Sequence, residues 1–284
     1  MGVHDPVIDA QTPATDFTIE QRWELYTADE HAVWDRLYAR QLRLMKDRAV
    51  AEFSEGLGLL DLGSGGIPDL RVINPKLRAL TGWEVVMVPH LVPDDVFFDH
   101  LANRRFPAGR FIRKPDQLDY IEEPDIFHDI FGHVPMLTLP VFADYMAAYG
   151  RGGQRADSLG RLKELARLYW YTVEFGLIRR NDALRIYGAG IVSSAGETPY
   201  ALESDVPHRI GFDLERLMRT EYRIDDFQQA YFVIDSFEQL LGATQADFGP
   251  LYTRLAADGT TYGPTELTAD DQLITRGTLR AAAE

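Results

Sequence analysis

"FHDIFGHVPML", residues 127 to 137, sets two histidines five residues apart in a run that otherwise reads as core. A single histidine on an apolar face is ordinarily a hydrogen-bonded core residue. Here, however, His128 has Asp129 beside it and His133 follows Gly132, in a chain with only seven histidines. On a regular helix, residues five apart lie roughly 140° apart around the axis, since each residue turns about 100°. The spacing therefore differs from the i, i+4 pair that zinc proteases carry on one helix face. Both imidazoles reach one metal only where the helix ends or distorts, and Gly132 and Pro135 supply an interruption.

A third ligand is suggested by "LARLYWYTVEFGLIRR", residues 165 to 180. Leu165, Tyr169, Val173 and Leu177 recur at helical spacing, and Trp170, Phe175 and Ile178 make the segment apolar nearly all round. Glu174 sits inside it. An unpaired buried carboxylate costs several kcal/mol, so it must be protonated, exposed, paired or bound to a metal. An ion pair with Arg167 or Arg179 is the simple solution for Glu174 alone. With two histidines and no cysteine in the chain, a metal is the stronger one. Two imidazoles and a carboxylate with other positions open form the facial arrangement of non-haem Fe(II) oxygenases. Zinc also accepts two histidines and a glutamate, so ligand type leaves the metal open.

Composition narrows the partners. The 284 residues carry a net charge of −15, which repels phosphate backbones and anionic lipid and disfavours nucleic acid and membrane surfaces. Without cysteine there are no disulfides, thiolate sites or cysteine nucleophiles. The N-terminal MGVHDPVIDA lacks the pattern of a secretory signal, and no apolar run approaches the roughly 18 residues of a membrane span. A cytoplasmic chain acting on a soluble small molecule is the expectation.

The helical signals predict one mainly α domain with a few short β-strands, α+β by a stricter scheme. Thr27 and Glu30 form a capping box opening a helix that breaks near Asp47. Further helices are predicted over 68–80, 93–102, 125–132, 139–150, 157–179, 197–204, 213–220 and, with breaks, 235–258. Strands are predicted at 83–88, 111–113, 185–187 and 231–234. Residues 1–19 read as a loose arm, 20–258 as the folded domain and 259–284 as a C-terminal tail. One rival stands apart: Leu59 to Gly66, "LLDLGSGG", resembles the glycine-rich loop of S-adenosylmethionine-dependent methyltransferases. Its neighbours lack the strand–helix alternation that such a loop needs.

The stretch Glu123 to Pro135 resembles the iron-binding signature of the pterin-dependent aromatic amino acid hydroxylases. So do Tyr169 to Leu177, Tyr187 to Ser194 ("YGAGIVSS") and Phe227 to Phe237 ("FQQAYFVIDSF"), within a similarity running from about residue 20 to 250. The resemblance implies that residues 20–258 are an iron- and pterin-binding catalytic domain. It implies Fe(II) on His128, His133 and Glu174, tetrahydrobiopterin or a related tetrahydropterin as cofactor, and O2 as co-substrate. It implies an amino acid substrate held by Arg113, Pro124, Trp170, Phe175, Ser193 and Ser194. It further implies a pterin held by Leu91, Val92, Phe97, Asp129, Ala166 and Tyr169.

Three positions depart from the animal members: Asp129 replaces glutamate, Ile121 threonine and Asp94 serine. The similarity is greatest to single-domain bacterial members, which implies a monomer. Ile224 stands where tyrosine-specific members carry an acid, and Trp170 where tryptophan-specific members carry phenylalanine. Both imply conversion of phenylalanine to tyrosine, with hydroxylation of tryptophan or tyrosine as the alternative.

Overall fold

The computed structural model describes residues 5–119, 121 and 123–279; residues 1–4 of the arm and 280–284 of the tail lie outside these. The chain enters through one helical turn, α1 (Pro6–Asp9), in which the Asp5 carboxylate accepts from Val7 N–H. The Thr27–Glu30 capping box forms as predicted and opens α2 (Ala28–Met45). That helix ends before Asp47, which adopts a left-handed φ of 61°. Next come α3 (Ala51–Leu60) and α4 (Leu70–Thr81), the latter with Pro75 inside it. The Asn74 side chain exchanges two hydrogen bonds with the Val85 backbone, tying this disturbed turn to β1 (Glu84–Val88). Beyond α5 (Asp94–Ala102), β2 (Arg105–Gly109) pairs parallel with β1.

A π-helical segment (Phe127–His133) and a 3₁₀ turn (Val134–Thr138) lead into the long α6 (Pro140–Ser158) and then α7 (Leu162–Tyr169). A second π-helical segment (Trp170–Glu174) follows, then the hairpin of β3 (Leu177–Arg180) and β4 (Ala183–Ile186). The remaining elements are α8 (Ala189–Ser193), α9 (Glu197–Glu203), β5 (His208–Gly211), α10 (Leu214–Arg219) and β6 (Ala230–Ile234). They end with α11 (Phe237–Gln245), α12 (Gly249–Asp258) and β7 (Leu273–Thr275). The larger sheet has the order β4-β3-β6-β5-β7, parallel at its centre and antiparallel at both edges. The fold is mainly α with a few short strands.

Several predicted elements differ. The strand predicted at 111–113 does not form; it lies earlier, at Arg105–Gly109. The Phe111 carbonyl accepts instead from Ile126 N–H, and Arg113 N–H donates to Asp125, so this stretch holds the first π segment. The helix predicted over 157–179 is interrupted at 159–161, where Gly160 takes a left-handed φ of 65°, and it ends at Glu174 before β3, since a short buried apolar run fits strand and helix equally. The arm's described part is docked rather than loose. Asp5 pairs with the buried Arg110 at 2.6 Å, Ile8 is buried and Ile19 bridges to Met87. The tail is docked too, through β7.

The glycine-rich loop at 61–67 follows a helix, not a strand. Two of its amides are already satisfied: Gly66 N–H donates to Asp35 at 2.6 Å and Ile67 N–H to His31 Nδ1 at 3.0 Å. The strand that should precede an adenosyl site is missing here, and these two amides are already committed to side chains of α2. Among the described residues no helix is long and apolar enough to cross a membrane.

The core fixes where the site lies. Phe127 and Phe131 stack at 4.6 Å behind the first π segment and pack against Trp34 and Phe53. Fully burying such a ring stabilises by about 1.5–3 kcal/mol, so the back of this segment is firmly held while its front carries the histidines.

Candidate active site

The five-residue spacing is resolved by the backbone. In π geometry the hydrogen bonds run i→i+5, so residues five apart share a face as residues four apart do in an α-helix. His128 and His133 thus project together, with Nε2 atoms 3.2 Å apart. Gly132 lets α8 approach, since a Cβ there would meet the Ala189 carbonyl at 3.0 Å. The Asp125 carboxylate caps the segment by accepting from His128 N–H at 3.0 Å. The second π segment closes with Phe175 N–H on the Trp170 carbonyl at 2.9 Å and presents Glu174. Its Oε1 lies 3.2 Å from His133 Nε2 and its Oε2 3.6 Å from His128 Nε2.

These atoms suit a metal ion. Ligands about 2.1 Å from an ion and at right angles around it stand about 3.0 Å apart, near the separations found. His128 Nδ1 lies 2.9 Å from Ser193 Oγ, whose own proton goes to the Ala189 carbonyl at 2.8 Å. Ser193 therefore accepts from Nδ1–H, which leaves the Nε2 lone pair facing the centre. Burial pushes the His128 pKa down to about 4, against the attraction of Glu174, so the ring is neutral at neutral pH. Burial alone raises Glu174, but the facing imidazoles and hydrogen bonds more than offset it and hold the carboxyl below its usual range. Two imidazole nitrogens and a carboxylate oxygen converging this closely fit a divalent cation. They are the one cluster of three or more such groups found among the described residues.

Two cavities meet at this cluster, and Pro124, His128, Trp170 and Glu174 line both. The first, of about 390 Å³, is lined by all six residues expected to hold substrate: Arg113, Pro124, Trp170, Phe175, Ser193 and Ser194. Arg113 is gripped by Asp125 through Nε and Nη2, both at 2.8 Å, and gives Nη1 to the Leu118 carbonyl at 3.3 Å. Two of its five N–H donors remain. Ile121 and Ile224 line this cavity too, with Asp119, Glu197, Asp225, Asp226, Phe227 and Gln228.

The second cavity, of about 480 Å³, is lined by Leu91, Val92, Phe97, Asp129 and Tyr169 of the six expected cofactor residues, and by Asp94. Ala166, half-buried on α7, is not among its lining residues. Asp129 accepts from Gly109 N–H at 2.7 Å, and burial raises its carboxyl to about 7. Glu197 and Gln228 escaped the sequence reading because no local pattern marks them; their partners lie 31 and 58 residues away.

The fold and this site define a class: the chain belongs to the biopterin-dependent aromatic amino acid hydroxylases, whose family model matches residues 19–247. It is 64% identical over 263 residues to the phenylalanine-4-hydroxylase of Caulobacter vibrioides, covering 93% of this chain and 89% of that one. It also resembles the iron- and phenylalanine-bound crystal structure of phenylalanine hydroxylase from Chromobacterium violaceum. That match has 55% identity and a TM-score of 0.88, over 92% of this chain and 95% of the other. The same enzyme with iron(III) and oxidised 7,8-dihydrobiopterin matches at 53% identity and a TM-score of 0.90, over 96% and 100%.

Proposed function

We propose that this chain hydroxylates L-phenylalanine to L-tyrosine, using non-haem Fe(II), a tetrahydropterin and O2. The observation that carries the reading is the junction of two cavities at one set of ion ligands, a slot for the substrate and another for the cofactor. The relative named for this reaction and the related structures holding iron with phenylalanine or a dihydropterin support it.

His128, His133 and Glu174 would hold the iron on one face. When bound, iron and tetrahydropterin supply the O2 activation and the electrons that a monooxygenase needs. The rest is the chain's work. Arg113 offers its free donors to the substrate carboxylate, and Asp125 keeps the guanidinium from turning away. Asp119, Asp225 and Asp226 give the slot a negative wall suited to the ammonium group. Trp170, Phe175 and Pro124 clasp the ring and keep water from it. Ser193 holds the His128 ring in place. Phe97 and Tyr169, edge to face at 5.8 Å, form an aromatic wall for the pterin.

An apolar Ile224 at the slot and the bulk of Trp170 favour phenylalanine over tyrosine or tryptophan. The same reading has the chain acting as a cytoplasmic monomer. Tyrosine formation from phenylalanine with Fe(II), tetrahydropterin and O2 tests the activity. His128→Ala, His133→Ala and Glu174→Ala should each lose bound iron and turnover; full turnover in any one of them defeats the assignment.

A further inference from the structure

We infer that Gln228 is a positioning residue that fixes the indole of Trp170, and through it the preference of the slot for a single six-membered ring over a larger one. This rests on the function proposed above.

Trp170 touches both cavities, so its placement decides how much room each has. Its ring stacks on Tyr222 at 4.3 Å and 15° and meets Phe175 at 4.8 Å and 41°. Such contacts restrain tilt but permit sliding and in-plane rotation, because stacking is weakly directional. The directional restraint is the indole N–H, which donates to Gln228 Oε1 at 2.8 Å. An indole nitrogen only donates and a backbone carbonyl only accepts, so the amide orientation is fixed by its partners. Oε1 faces Trp170, and Nε2 donates to the Arg223 carbonyl at 3.0 Å.

The peg itself is immobile. Gln228 is 2% exposed and its N–H donates to Glu197 at 3.0 Å. Glu197 in turn receives the Tyr231 hydroxyl at 2.6 Å from β6. One residue therefore ties three things together: its side-chain amide joins the aromatic wall to Arg223, which leads the slot-lining 224–227, and its backbone N–H joins both to the sheet through Glu197. Loss of this amide orphans the indole N–H and the Arg223 carbonyl together, and the slot widens where the substrate ring sits.

The test is steady-state kinetics on phenylalanine and tryptophan, with urea unfolding to establish that each variant is folded. Gln228→Met should raise KM for phenylalanine about fivefold, the scale of one positioned hydrogen bond, while kcat stays within about twofold. The ratio of kcat/KM for phenylalanine over tryptophan should fall about tenfold. Gln228→Glu, which keeps an acceptor for the indole, should recover most of that ratio. In a Trp170→Phe background, where the donor is gone, Gln228→Met should leave the ratio unmoved. Should Gln228→Met fail to fold, Gln228→Asn, whose shorter amide cannot reach the indole, must lower the ratio in its place. An unchanged ratio in a folded variant, or an equal fall in the Trp170→Phe background, overturns the inference. A wild-type chain that makes no tyrosine refutes the proposed function instead, so the two failures are distinct.

Discussion

Glu197 stands at the head of α9, buried, receiving hydrogen bonds from the Tyr231 hydroxyl and Gln228 N–H. Burial pushes its carboxyl up to about 7, although both hydrogen bonds favour the anion. An unfolded glutamate titrates near 4.3, so between about 4.3 and 7 the folded chain binds the proton that the unfolded chain releases. Stability from this group is therefore greatest at low pH and falls as pH rises through that window, by up to about 4 kcal/mol. Above it the cost is constant. Glu197→Gln retains an oxygen for both donors and cannot ionise. Asp129 is raised to a similar value, so the quantity to read is the difference between wild type and variant. Urea unfolding at pH 5 and pH 7.5 should show the variant gaining on wild type at the higher pH. Parallel pH dependences would refute the buried-acid account.

The two π-helical segments are the elements that make the site. The sequence showed the anomaly, two histidines that a regular helix would splay, and an acid inside an apolar run. It did not show the remedy, because π geometry is set by the packing of Phe127 and Phe131 behind the segment and by α8 in front. The strand β3 was illegible for a similar reason: Leu177 and Ile178 are buried on every side, and such a run has no period to read. Capped and periodic helices such as α2 were plain from residue pattern alone.

The packing of α8 against the second π segment leads to a paired prediction. A Cβ on Gly188 would lie 2.4 Å from the Glu174 carbonyl oxygen, whereas one on Gly58, within α3, meets nothing within 4 Å. Gly188→Ala should cost about 1–3 kcal/mol and weaken Fe(II) binding at least about tenfold, because the Glu174 backbone must move. Gly58→Ala should stabilise by about 0.5–1 kcal/mol, the ordinary gain of alanine in a helix, with iron binding unaltered. Urea midpoints and Fe(II) titration read both, and identical behaviour at the two sites would contradict the packing argument.

At the scale of the whole molecule, the ends of the described chain close it. Arm residue Asp5 holds Arg110, and β7 covers the open edge of β5. The latch for the C-terminal segment is Arg216 on α10. It donates to Asp271 at 2.7 Å and lies over the Tyr262 ring at 4.3 Å, with both charged side chains nearly fully buried. Burial raises the Asp271 carboxyl, but its hydrogen bonds and the guanidinium more than offset that and hold it below its usual range.

Arg216→Met would leave this carboxylate buried without its cation, a change that costs about 3–5 kcal/mol. Neither partner lines the two cavities at the ion ligands, so the latch and the site should act independently. Fe(II) at a hundred times its dissociation constant should stabilise any folded form by about 2.7 kcal/mol through mass action. Wild type and Arg216→Met should therefore show the same increment on adding Fe(II), from baselines set apart by the lost ion pair. A smaller increment in Arg216→Met, read by urea unfolding with and without the metal, would mean that docking of the C-terminal segment is coupled to the iron ligands and that the independence argued here is wrong.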